Sequence, residues 1–267
     1  MDNNNTTAIV PANSDTKSEL KTVGPRLATD GTVCENILTM QLDPRLDDAA
    51  PSGLFMDALM NAEGTGVTPS FITLFSGQPG AGKTTLSLQM ADGFASKGCE
   101  VLYVTNEEAF AQVRKHARRL NLKTGFTVAN LSDLNAITKL LFEKLDKATA
   151  AGKEFVYFID SLQTVTVDGA TGLRIAEHSC ALFSEFCKST YAIGWLLCQS
   201  TKNGDFAGRQ NLKHMVDGHL QIGYCKDRRD DFFGKHYVEF TKNRFGIAGI
   251  KVAVTVGANG IEQLIEY

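Results

Sequence analysis

From about residue 51 the chain alternates short apolar runs with amphipathic stretches. Residues 71–75, Phe-Ile-Thr-Leu-Phe, predict a strand that runs into a Gly-rich turn, and 84–97 is helix-permissive. A second strand follows at 101–104, then a helix with Phe110, Val113, Ala117 and Leu120 on one face. The pattern predicts an amphipathic helix over 132–149, a buried strand over 155–159, a helix over 173–188 and a strand of large apolar groups over 192–198. Segments 219–224, 237–241 and 249–255 suit further strands. Continuous apolar strands separated by helices imply a mainly parallel sheet covered on both faces. The expected fold is therefore α/β, with helices flanking a central sheet and a β-rich C-terminal end.

Residues 1–50 break this pattern. They are rich in Asn, Thr, Ser and Asp, show no sustained period and carry a net charge of −4. Too little apolar surface is available there to offset ordering entropy, which predicts a disordered segment, with 32–48 as a possible arm onto a neighbouring subunit. The folded part is expected to occupy 51–267, where the net charge is +1. A chain of 267 residues with 43% hydrophobic content can bury roughly three quarters of its unfolded surface without a disulfide or metal staple. The overall charge of −3 argues against a strongly basic nucleic-acid binder, so any basic surface must be local. The six cysteines, at 34, 99, 180, 187, 198 and 225, form no C-x-x-C pair and no zinc-ligand spacing. They read as reduced thiols in a cytoplasmic protein without zinc. The chain opens on no signal peptide, and no apolar run approaches the length of a membrane span.

The turn after the first strand carries the chemistry. Gly77-Gln78-Pro79-Gly80-Ala81-Gly82-Lys83-Thr84 satisfies G-x-x-x-x-G-K-[ST] in full, between a strand and a helix, and Thr85 follows it. Such glycines let backbone N–H groups turn inward around phosphates, and the helix N-terminus adds partial positive charge. Lys83 is expected to reach the β- and γ-phosphates of ATP, and the Thr84 hydroxyl to ligate Mg²⁺. Asp160 closes the buried run 155–159, where a carboxylate holds the Mg²⁺ shell or merely caps the next helix. Glu107 and Glu108 stand just beyond the second strand, where α/β ligand sites lie. Periodicity does not decide whether they act as a base or simply begin a helix.

Several segments together resemble the bacterial RadA/Sms family of RecA-like ATPases. They are the phosphate loop, Tyr-Val-x-x-Glu-Glu at 103–108, Ile159-Asp160-Ser161-Leu162-Gln163-Thr164, Ser200-Thr201-Lys202-x-Gly204, Ala207-Gly208, His214-Met215-Val216-Asp217 and Lys242-Asn243-Arg244-Phe245-Gly246. The resemblance implies a RecA-like P-loop core over about 55–262, with Glu107 as the catalytic acid and Asp160 as the Walker B carboxylate. It implies that Lys242 and Arg244 project into a neighbour's nucleotide, where such cations stabilise charge on the transferring phosphoryl group. A basic turn is the plainer reading of the same run. Gln199, ending the strand at 192–198, falls where related motors place a γ-phosphate sensor, although the family usually has His there. The family's N-terminal zinc finger and C-terminal protease-like domain have no counterpart in this sequence, so a motor core is expected.

RecA-type assemblies, hexameric rings or helical filaments, hold single-stranded DNA on loops facing their axis. Residues 164–174 and 202–217 are the candidates here, the second carrying Lys202, Arg209 and Lys213 among Gly and polar residues. Arg114, Lys115, Arg118 and Arg119 line a helix opposite its apolar face and read first as a solvated basic face. Two function classes stay open: a DNA-dependent ATPase of recombination or repair, and an ATP-driven oligomeric switch of the KaiC kind.

Overall fold

Along each central strand successive side chains are sent to opposite faces, and both faces are covered. Phe71, Phe75, Val101, Tyr103, Val156, Phe158, Ile193, Trp195 and Leu197 pack in one core. The intervening Ile72, Leu74, Leu102, Val104, Tyr157, Ile159, Leu196 and Cys198 pack in the other. This is why the strands read as unbroken apolar runs.

The computed structural model describes residues 44–200 and 211–264, together with Leu38. Among the described residues nine strands form one sheet in the order β3-β2-β4-β5-β1-β6-β7-β8-β9. They are β1 (Ile72–Gly77), β2 (Glu100–Thr105), β3 (Thr127–Asn130), β4 (Phe155–Asp160), β5 (Ile193–Gln199), β6 (Gly218–Tyr224), β7 (His236–Asn243), β8 (Lys251–Gly257) and β9 (Gly260–Gln263). The first six pair with one another in parallel, and β7, β8 and β9 continue the sheet antiparallel from β6. The expected α/β architecture with a strand-rich end is thus the observed one.

The helices are α1 (Asp57–Met60), α2 (Lys83–Ser96), α3 (Phe110–Arg119), α4 (Leu134–Ala150), α5 (Leu173–Thr190) and α6 (Asn211–Met215). Residues of α2 and α3 pack in the first core, those of α4 and α5 in the second. Asp133 starts α4 by accepting from the Ala136 N–H. Asp92 on α2 accepts from the backbone of Lys123, Thr124 and Gly125 and so fixes the approach to β3. One expected core position differs: Phe110 opens α3 with 57% of its surface exposed, while Val113 and Leu120 are buried. As the first residue of a short helix, Phe110 lies on the rim of an apolar groove of about 400 Å³ rather than beneath the helix.

Candidate nucleotide site

β1 delivers the chain to the phosphate loop and α2 carries it away. Gly82 caps α2 at φ 103° and Gly80 stands at φ 78°, both left-handed conformations that L side chains rarely adopt. Gly77 is needed for a different reason: a Cβ there would stand 2.7 Å from the Ile222 carbonyl oxygen on β6. The Lys83 Nζ donates to the carbonyls of Gly77 and Gln78, at 2.9 and 3.1 Å. Burial lowers the Lys83 pKa, against the pull of Asp160 and Glu107.

The parallel register brings the other candidates to the same end of the sheet. Thr105 at the end of β2 pairs with Asp160 at the end of β4, and Gly77 pairs with Gln199 at the end of β5. Thr84 donates from Oγ1 to Asp160 Oδ2 at 2.9 Å. Tyr103 donates to the same oxygen at 2.7 Å, and its hydroxyl also meets Ser87 Oγ at 2.9 Å. Asp160 is only 6% exposed. Burial raises its pKa, the two hydrogen bonds lower it, and Glu107 and Glu108 push it up again. Burial, reinforced by Asp160, holds the Tyr103 pKa well above its ordinary value, so the phenol stays a donor.

The two glutamates are separated by what holds them. Glu107 accepts from Ser161 Oγ, beside Asp160, and is otherwise exposed. Glu108 turns away to His116 on α3, 3.5 Å distant. Asn106 clamps the junction: its Oδ1 accepts from the Ser161 N–H at 2.7 Å and from the Thr164 hydroxyl, and its Nδ2 donates to the Ser161 carbonyl at 3.1 Å. The Asp160–Ser161 peptide is cis. Gln199 lies exposed at the strand end, and its carbonyl accepts from Gln163 Nε2 at 3.5 Å.

Lys242 and Arg244 lie at the opposite end of the sheet. Asn243 pairs with Gly218, and Gly218 with Thr73 near the start of β1. Four residue steps along β1 take Thr73 to Gly77, about 13 Å at strand rise, so neither cation reaches its own phosphate loop. Lys242 Nζ donates to the carbonyls of Lys213 and Val216, at 2.7 and 2.6 Å. Arg244 pairs with the buried Asp217 at 2.6 Å, its side chain 54% exposed. Lys213 therefore stands beside Lys242, on α6, while Lys202 and Arg209 lie outside the described residues. Of the basic face on α3, Arg119 is not simply solvated: it donates to the Ala258 carbonyl at 2.7 Å and to Thr85 Oγ1 at 3.3 Å.

Sequence reasoning gave no site role to Asn106, to Tyr103 or Ser161, which entered only inside the motifs of the resemblance, or to Arg119, read as part of a solvated basic face. A tyrosine inside an apolar strand was a partial signal, because a buried phenol needs a hydrogen-bond partner. Asn106 left none.

The KaiC family of ATPases matches residues 51–245. DNA repair protein RadA of Aquifex aeolicus is 31% identical over 214 residues, which is 79% of this chain and 45% of that protein. RadA of Rickettsia conorii is 35% identical over 193 residues, 70% of this chain and 40% of its own length. The chain thus spans less than half the length of these relatives. The crystal structure of a KaiC-like protein from Pyrococcus horikoshii superposes with a TM-score of 0.65 at 16% identity, over 82% of this chain and 99% of that one. That likeness concerns the fold.

Proposed function

The chain belongs to the KaiC family of ATPases, with the motor core it has in common with RadA, and from that premise we propose that it hydrolyses ATP at subunit interfaces and acts on single-stranded DNA. The observation that carries the hydrolase reading is the convergence of Lys83, Thr84, Asp160 and Glu107 at one end of the sheet. The loop amides of Gly77 to Thr85 cradle the phosphates, and Lys83 neutralises their β and γ oxygens. Thr84 and Asp160 are hard oxygen ligands 2.9 Å apart, the donor set that suits Mg²⁺. When bound, that ion offsets charge developing on the transferring phosphoryl group. Glu107, held by Ser161, takes a proton from the attacking water, and Gln199 contacts the γ-phosphate. Arg244 and Lys242 serve a neighbour's nucleotide, a role supported by their distance from their own loop.

The DNA reading is supported by the RadA relatives and by Lys202, Arg209 and Lys213, whose phosphate contacts would be sequence-tolerant. A switch that ignores DNA is the second reading, favoured by the KaiC match. ATPase rates with and without single-stranded DNA, at low and moderate salt, decide between them. Stimulation that weakens with salt, and is lost when Lys202, Arg209 and Lys213 are neutralised together, is expected. An unchanged rate with no bound DNA leaves the switch.

A further inference from the structure

We propose that Asn106 is a positioning residue for hydrolysis, fixing Glu107 at its distance from Asp160; the assignment rests on the catalytic reading of Glu107 above. β2 and β4 pair in register as far as Thr105 and Asp160, and the Asn106 N–H adds one more bond, to the Asp160 carbonyl at 3.0 Å. Glu107 and Ser161 stand just past these last contacts, where strand pairing no longer sets the separation of the two segments. Glu107 is exposed, so its carboxylate, at the end of a long side chain, has solvent to turn into. A base works only when it is held within hydrogen-bond reach of the water it deprotonates. Some other group must take over where the sheet ends.

The Asn106 side chain is that group. Its Oδ1 accepts from the Ser161 N–H at 2.7 Å, and its Nδ2 donates to the Ser161 carbonyl at 3.1 Å. One carboxamide thus satisfies both backbone groups of one residue, the pair of contacts that a neighbouring strand would otherwise supply. These bonds also fix which way the amide faces, since a flip would set Nδ2 against the N–H and Oδ1 against the carbonyl. Ser161 is 2% exposed, so its N–H depends on Asn106 rather than on water. So placed, Ser161 gives its hydroxyl to Glu107, and Thr164 closes the turn by donating to Asn106 Oδ1. The far flank of Glu107 is pinned separately: the Glu108 N–H donates to Thr105 Oγ1 at 3.2 Å, and its carbonyl accepts from Asn130 Nδ2 at 2.9 Å. Asp160, next to Ser161, is held by Thr84 and Tyr103. Asn106 therefore links the base to the metal carboxylate. Among the described residues its hydrogen-bond partners are Ser161, Thr164 and the Asp160 backbone, none of them in the phosphate loop.

The test compares turnover with binding in the full chain. Asn106→Ala is expected to lower kcat by about ten- to hundredfold, the scale of a catalytic group displaced by about an ångström. Calorimetric affinity for the Mg²⁺ complex of a non-hydrolysable ATP analogue stays within about twofold, because the loop that binds it is untouched. Single-turnover rates in the Glu107→Gln background supply the decisive comparison. Adding Asn106→Ala there lowers the rate by less than about twofold, since no base is left to position. Asn106→Asp keeps the side-chain volume and the acceptor for the Ser161 N–H, and carries the same comparison should the alanine variant not fold. Its second oxygen faces the Ser161 carbonyl, so its kcat falls too, and the loss again vanishes with Glu107→Gln. An unchanged kcat in either folded variant, affinity lost in step with kcat, a loss that persists undiminished with Glu107→Gln, or failure of both variants to fold overturns the proposal. Hydrolysis by Glu107→Gln at the wild-type rate instead overturns the catalytic reading of Glu107, a result that no Asn106 variant can mimic.

Discussion

Glu107 and Glu108 are adjacent in the chain, yet their neighbours give them different chemistry. Ser161 holds Glu107 beside the Asp160 end of β4, and His116 draws Glu108 onto α3. Glu107→Gln should therefore keep ATP binding and lower turnover at least about 100-fold, because a carboxamide cannot accept the water proton. Glu108→Gln should leave turnover within a few-fold; the opposite order in steady-state rates moves the base to Glu108. His219 gives a second residue-scale prediction. It is 1% exposed, with Nε2 2.7 Å from Ser76 Oγ and Nδ1 bonded to the Thr241 hydroxyl. Burial, and then Lys213 and Lys242, lower its pKa to about 3. In the unfolded chain it titrates near about 6.5, so between these values the unfolded state binds more protons. Its contribution is fully present above about 6.5 and is lost as the pH falls toward about 3. Denaturant titrations at decreasing pH should show a slope that His219→Gln flattens by up to about 1.4 kcal/mol per pH unit. An identical slope in the variant means that other groups carry the acid sensitivity.

At the scale of elements, the end of β7 joins three pieces of structure. Arg244 pairs with Asp217 ahead of β6, Asp217 also accepts from the Ile72 N–H at 3.3 Å, and Asn243 donates to the Leu59 carbonyl of α1 at 2.8 Å. Arg244→Ala leaves the buried Asp217 without its cation. Because Arg244 is half exposed the cost is moderate, about 1–2 kcal/mol of unfolding free energy. Arg244→Lys should recover part of it, and no change in either variant shows the pair to be idle. This run was legible in the sequence as a basic turn, but its second role was not, since Asp217 and Arg244 are partners only through the β6–β7 register. The same contrast runs through the molecule. Central strands announced themselves because both faces are buried, and the phosphate loop because its residues are contiguous. β3 and β9, four residues each at the two edges, offered no run long enough to read. The Asn106–Ser161–Thr164 clamp joins residues more than 50 positions apart, and the parallel pairing of β2 with β4 creates it.

For the whole molecule the decisive feature is polarity. The phosphate loop, Asp160 and Glu107 occupy the C-terminal ends of the parallel strands, and Lys242 and Arg244 the other end. A contact between these opposite ends of two copies would be head to tail, closing into a ring or running on as a helix. Two consequences follow if the far end serves the next subunit. Hydrolysis rises more than linearly with protein concentration through the assembly range. Mixing Lys242→Ala with Lys83→Ala restores part of the activity that each lacks, because hybrid interfaces pair an intact phosphate loop with an intact cation. Lys242 also holds the Lys213 and Val216 carbonyls, so the thermal stability of Lys242→Ala must be measured beside its rate. A variant that keeps its Tm and co-assembles, yet shows no rescue in the mixture, removes the trans role. Lys242 would then be a tether for the end of α6, and a dilute monomer with full specific rate would say the same of the whole interface.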